Sequence, residues 1–245
     1  MRGDAGFPVR LRFSKRGKVR FISHRDVARA FERAFRVEQL PLAFTRGFVP
    51  RPKASFGLAL PVGYESEAEY LDVELVEPVD LDAWPETLSE ATPDGMDVTG
   101  VVALADRAPA LQESVTATAY RLDVVSTRDD SPPTEAAVTA LVARTMASPV
   151  LEARRSRKGR PVVEDVRPAL RQMSVVGASE HGVVIELEVA TRPRGARPGE
   201  VLAAMGGGLA DRLVLRTHQW IERGGARLEP LEADPRPCAV EAHAS

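Results

Sequence analysis

The chain holds one cysteine, Cys238, in 245 residues. That excludes an internal disulfide framework, and it excludes zinc or iron–sulfur centres built on several thiolates. By elimination, cysteine usage points to a reducing, cytoplasmic setting. Lysine is almost as scarce, 4 against 29 arginines. Aromatic residues are few, at 5%. No window approaches the roughly 20 consecutive apolar residues of a membrane helix, and Met1–Pro8 has no apolar run of the kind a secretory signal needs. The signatures GxxxxGK[ST], GxGxxG, HExxH, GxSxG and CxxxCxxC are absent from the sequence. These absences speak against a phosphate-binding P-loop, a dinucleotide fingerprint, a zinc protease, a nucleophile elbow and a radical-type iron–sulfur ligand set. No metal site is expected.

What is present is charge, unevenly distributed. The chain carries 33 Lys+Arg and 35 Asp+Glu, a net of −2. Residues 1–58 hold 14 basic against 4 acidic side chains, and residues 59–115 hold 1 against 14. The first segment is therefore +10 and the second −13. A partner feels the local field, so a near-neutral total does not exclude an anionic ligand such as nucleic acid.

Periodicity predicts two similar halves. In the first, Val9–Phe13 alternates as a strand, and Val19–Ile22 continues it after a Lys15–Lys18 turn. Ser23 and Asp26 form a capping pair ahead of a helix over His24–Glu38. Its apolar positions Val27, Ala30, Phe31, Ala34 and Phe35 lie at helical spacing, with Arg25, Arg29, Arg33 and Arg36 elsewhere on the surface. Pro41–Phe44, Ser55–Leu60 and Glu69–Leu75 read as strands, Leu81–Ala91 as a helix and Met96–Ala105 as a strand. In the second half, Thr116–Val125, Val150–Arg157, Val162–Val176, Val183–Thr191 and Leu213–Ile221 read as extended. Helices are expected at Thr134–Met146 and Gly199–Met205. The expected class is α+β, as two tandem ferredoxin-like (split βαβ) units with antiparallel sheets. The boundaries are 7–107 for the first unit, 115–228 for the second, and a disordered tail over 231–245.

Three stretches could carry function. Arg46–Gly63 (RGFVPRPKASFGLALPVG) holds three prolines, three glycines and three basic residues, so its backbone follows a specified irregular path. It offers Arg46, Arg51, Lys53 and Ser55, with Phe48 and Phe56 as stacking surfaces, a combination suited to phosphate and base. Ser14–Asp26 places Lys15, Arg16, Lys18, Arg20 and His24 beside a helix start, where an anion would be favoured. His24 is the one weak candidate for acid–base work. Arg154–Pro168 (RRSRKGRPVVEDVRP) is a basic hairpin followed by Asp165 and Arg167, which would share one face of a strand and present Arg167 to a ligand.

The runs FSKRGKVRFISHRD (Phe13–Asp26), Pro41–Ala43, Arg46–Glu69 and EDVRP (Glu164–Pro168) resemble the radical SAM-linked, or radical SAM-associated, domain family of unknown function. The resemblance spans about Phe7 to Trp220, and the middle motif is its most specific part. Arg25 departs from the pattern, where members usually carry Leu, and Val166 stands where Ile is common. The resemblance singles out Lys15, Arg16, Gly17, Arg20, His24, Asp26, Phe48, Lys53, Ser55, Leu60, Ser66, Glu69 and Arg167. It also marks Gly47, Pro50, Pro52, Gly57, Pro61, Gly63, Asp165 and Pro168 as positions that shape the motif. It implies a bacterial protein working with a separate radical SAM protein, which would supply the iron–sulfur cluster and S-adenosylmethionine that this chain lacks. Genes of that family often neighbour those for ribonuclease E/G and ribosomal proteins. The expected function is thus a non-catalytic accessory module contacting ribosomal or transfer RNA through the basic 10–58 face. The alternatives are a metal-independent RNA-processing endonuclease, with His24 as acid–base and Lys53 and Arg46 on the phosphate, and a purely protein–protein adaptor.

Overall fold

The computed structural model describes residues 6–128, 131–157 and 159–236. The expected tail over 237–245, with Cys238, lies outside the described residues, as do Lys158 of the basic hairpin and two residues of the Thr127–Thr134 loop. The protein is mixed α+β with antiparallel strand pairing. It divides into two compact units, the first drawn from residues 6–62, 66–114 and 221–236 and the second from 63–65 and 115–220.

The first unit runs β1 (Phe7–Lys15), α1 (His24–Val37), β2 (Ala54–Phe56), β3 (Glu65–Leu75), α2 (Trp84–Ala91), β4 (Val98–Ala103) and a short α3 (Leu111–Ser114). Its strands lie in the order β4-β1-β3, with β2 added to β3 over Ala54–Phe56. Strand alternation decides the two faces. Val9, Leu11 and Phe13 point to one side and pack against Val27, Phe31 and Phe35 of α1 and Trp84 and Leu88 of α2. Phe13 meets Phe31 edge-on, with ring centroids 4.7 Å apart. Arg10 faces the other side and is fully buried.

The second unit runs β5 (Ala117–Ser126), α4 (Glu135–Ala147), the hairpin β6 (Glu152–Arg157) and β7 (Arg160–Asp165), then β8 (Leu170–Ala178), β9 (Val183–Ala190), α5 (Pro198–Met205) and β10 (Leu209–Arg223). The sheet order is β10-β5-β9-β8, antiparallel throughout, while β6 and β7 pair with each other. Leu122, Val124, Ile185, Leu187 and Val214 of the sheet and Val138, Leu141, Val201 and Leu202 of the helices fill the core.

Six expectations need correction. The expected strand Ser55–Leu60 stops at Phe56, and the expected extended run Val162–Val176 is broken by a 3-10 turn at Arg167–Ala169. Val19–Ile22 is not extended: residues Gly17–Phe21 form a 3-10 turn, opened by Gly17 at φ +63. Pro41–Phe44 forms only isolated bridges, because the neighbouring prolines limit its pairing. The boundary at 228 falls too late, since Ile221–Arg223 leave the second unit and pair with β11 (Ala226–Leu228) in the first. Finally, Leu231–Arg236 is not a loose tail. Glu229 and Glu232 cap a one-turn helix, α6 (Pro230–Ala233), and Leu231 packs on Tyr70 and Leu111. The Pro230 carbonyl accepts from Arg10 Nη1 at 3.0 Å, and Asp234 pairs with Arg223 at 2.7 Å. A segment read as polar and aperiodic is thus held by the charges it carries.

Candidate functional site

Helix α1 owes its start to a reciprocal cap. The Asp26 amide donates to Ser23 Oγ at 3.3 Å, and the Ser23 amide and hydroxyl both donate to the Asp26 carboxylate. The Ser23 hydroxyl holds the Asp26 carboxyl below the usual carboxylate range. With Val27, Phe31, Ala34 and Phe35 buried, the register of the helix is fixed. Arg25, Arg29 and Arg36 stand at i, i+4 and i+11, so they share one stripe spanning about 16 Å of helix.

Facing that stripe is the segment Phe44–Pro52. Its ends are stapled together: Phe44 bridges Pro52, the Thr45 amide donates to the Arg51 carbonyl at 2.8 Å, and the Arg51 amide donates to Thr45 Oγ1 at 3.1 Å. Gly47 takes φ +143 at the tip, where Phe48 and Val49 are left in solvent. Helix and loop enclose a groove of about 640 Å³ lined by Arg25, Arg29, Arg36, Arg51, Phe44, Pro50 and Pro52, with Glu32 as its one acid. Arg29 leans on Asp26 at 3.3 Å. Among the described residues, Arg25, Arg36 and Arg51 make no ion pair. The groove is an open cationic channel with an aromatic wall.

The turn that looked like the anion site is organised differently. Lys15 is 3% exposed, and its ammonium donates to the carbonyls of Arg20 at 3.3 Å and Ile22 at 3.1 Å. Burial lowers its pKa, with Glu69 opposing. Lys15 therefore locks the 3-10 turn and is withdrawn from the surface set. Arg16 pairs with Glu67 at 2.8 Å, and Arg20 lies over the Phe21 ring at 4.7 Å. Lys18 is exposed. Arg46 is exposed at the loop tip. Lys53 is tied to Glu74 at 2.9 Å, and Ser55 is exposed on β2.

Five motif residues from separate stretches, Lys15, His24, Gly57, Leu60 and Glu69, meet at one place. Lys15, His24, Phe56, Gly57, Leu60 and Glu69 surround a cavity of about 20 Å³. The exposed His24 ring sits edge-on to Phe56 at 4.9 Å, and the Gly57 amide donates to the Tyr70 carbonyl at 2.9 Å. A space of that size holds about one water and no substrate. Pro61 and Gly63, the latter at φ +91, turn the chain into β3, where Ser66 is buried and its hydroxyl accepts from the Ala68 amide at 3.1 Å.

The DVRP residues belong to the second unit and serve its framework. Arg167 sits in a short 3-10 turn, not on a strand face beside Asp165. Its guanidinium donates to the carbonyls of Met146 at 3.0 Å, Ser148 at 3.0 Å and Leu170 at 2.9 Å. Two of those carbonyls lie at the open C-terminal end of α4, so Arg167 caps a helix instead of reaching for a ligand. Asp165 accepts from the amides of Leu151 at 2.8 Å and Arg167 at 2.9 Å, which hold its carboxyl below the ordinary range. Pro168 restricts the backbone of the 3-10 turn that Arg167 opens.

Residues 9–198 match the model of a family described as an uncharacterized protein conserved in bacteria (DUF2344). The chain belongs to this family. No curated protein matches it. Among solved structures, it is similar to a chain of the crystal structure of a Cbf5-Nop10-Gar1 complex, at 12% identity and TM-score 0.48, covering 89% of this chain and 54% of that one. It is also similar to a chain of an H/ACA RNP bound to a substrate RNA containing 2'-deoxyuridine, at 13% identity and TM-score 0.44, covering 96% and 55%. The chain thus spans about half the length of the solved chains it matches. No helix among the described residues is long and apolar enough to cross a membrane.

The groove arginines on α1 are what sequence reasoning missed. Their shared stripe was the signal that could have found them, but the sequence did not show that it faces the flagged loop some 20 residues further along the chain.

Proposed function

We propose that this member of the family is a non-catalytic accessory module that contacts RNA, ribosomal or transfer, through the arginine groove of its first unit. The observation that carries the reading is the groove itself. Three arginines without acidic partners and a fourth beside them line about 640 Å³ of open space, with Phe44 on its wall. Guanidinium forks suit phosphate oxygens, and an aromatic wall suits bases. Each unit reads as ferredoxin-like, supported by a strand–helix–strand–strand–helix–strand order, into which the second unit inserts the separately paired β6–β7 hairpin, and by the antiparallel sheet in which the first sheet strand lies between the last and the third. The motif resemblance supports a radical SAM protein as the working partner, which would carry the iron–sulfur cluster and S-adenosylmethionine.

Filter binding of labelled RNA across a salt series tests the RNA contact. Three to four phosphates neutralised on a single strand give a slope of log K against log salt of about −2 to −3. Absence of salt-dependent affinity at low ionic strength would contradict the reading. Co-purification with a radical SAM protein, retained after nuclease treatment, tests the partner separately.

A further inference from the structure

We infer that the groove takes single-stranded, unstacked RNA and that Phe48 is a stacking platform for one of its bases. This rests on the RNA reading above and makes it specific. The argument begins with the loop tip. Phe48 is fully exposed, Val49 is 72% exposed and Phe44 is 53% exposed. Scattered apolar residues on a surface are ordinary, but three within six residues, at the mouth of a cationic groove, form a patch with a function. The tip is held out by construction: the Phe44–Pro52 bridge and the Thr45–Arg51 hydrogen bonds close the loop's base. Pro50 restricts the return path, and Gly47 at φ +143 occupies a backbone region that favours glycine. A ring presented in this way meets a ligand with little ordering cost.

Charge names the partner. The tip is flanked by Arg46 and Arg51, and the groove behind it carries Arg25 and Arg36. An apolar protein ligand would have to desolvate these guanidiniums, whereas a nucleic-acid strand supplies both a polyanion and ring faces. Duplex RNA hides its bases in the stack and presents only backbone and a shallow groove, so it would satisfy the arginines and leave Phe48 and Phe44 without partners. A single strand engages both sets at once: phosphates along the arginine stripe and a splayed base on Phe48.

The experiment compares three probes on the full-length chain: a labelled single-stranded oligoribonucleotide, the same sequence as a blunt duplex, and an abasic strand of equal length. Phe48→Ala and Phe48→Trp are measured beside the wild type by fluorescence anisotropy. Phe48 is exposed, so neither change is expected to disturb folding. The single strand binds more tightly than the duplex. Phe48→Ala weakens the single strand roughly tenfold, within the range measured for base–aromatic stacking, and leaves the abasic strand unchanged. Phe48→Trp retains or strengthens binding. Equal affinity for duplex and single strand, or a Phe48→Ala loss that is the same on the abasic strand, overturns the stacking inference while leaving RNA contact intact. Binding to anionic lipid vesicles with no binding to any oligonucleotide overturns both.

Discussion

The cations of the first unit fall into two populations that one segment charge conceals. Those carried by or beside its strands are met within the fold, most by acids and Lys15 by two backbone carbonyls. Arg10 lies opposite Asp72 across β1 and β3 and grips it with two bonds of 2.6 and 2.8 Å. Arg12 reaches Glu229 at 2.9 Å, Arg16 reaches Glu67, and Lys53 reaches Glu74. Three of these four acids come from the −13 segment, so the two opposite poles of the sequence partly neutralise each other inside the unit. The cations carried by α1 and the stapled loop face no such strand. Arg25, Arg36 and Arg51 open into a groove. The difference teaches that a segment's net charge overstates what a ligand meets. Topology decides which charges are spent within the fold and which remain available outside it.

This contrast can be broken most forcefully at Arg10. Arg10→Ala leaves Asp72 without its partner and the Pro230 carbonyl without a donor, and is expected to cost about 3 kcal/mol or more. Urea unfolding measures the loss, and the folded fraction should bind RNA with unchanged salt dependence. A change in that dependence with stability intact would show that strand-borne cations also reach the ligand. Arg167→Ala comes next. Removing two bonds to carbonyls at the end of α4 and one to the Leu170 carbonyl is expected to cost about 1–3 kcal/mol, again with RNA affinity unmoved. Weaker RNA binding at wild-type stability would return Arg167 to the ligand-binding set.

A smaller effect sharpens the reading of the DVRP turn. Amide donors lower the Asp165 pKa in the folded state below its unfolded value. Its contribution is therefore present above the unfolded carboxylate pKa, about 3.9, and is lost as pH falls through the lower folded value. The stability gap between wild type and Asp165→Asn, read from urea midpoints, should be open at neutral pH and close in acid. A gap that persists unchanged at low pH would assign the loss to packing instead of charge.

Much of this arrangement could be read in the sequence, for identifiable reasons. Helix α1 was legible because its apolar spacing and the Ser23–Asp26 cap agree. Most strands of both units were legible because an apolar face packed against the helices enforces alternation. What escaped depended on residues distant in the chain. Lys15 sits in a basic run that looks solvated, yet the strand passes it inward, where two carbonyls of the following turn receive it. Arg167 looks like a displayed arginine until α4 is placed beside it. The tail looked disordered because α6 has no periodicity to show in one turn, and its anchors, Arg10 and Arg223, lie far away or on another strand. The groove was half legible. Its loop was flagged by proline and glycine, but its helical wall was read only as a polar face.

The most direct test of the two-population account is the salt dependence of single-stranded RNA affinity for the wild type and for the triple variant Arg25→Gln, Arg36→Gln, Arg51→Gln. These side chains are exposed or line an open groove, so stability should change by no more than about 0.5 kcal/mol. The account predicts that the slope of log K against log salt shrinks by about 2, near 0.7 for each phosphate no longer neutralised. A triple variant that folds normally and keeps the wild-type slope would contradict it.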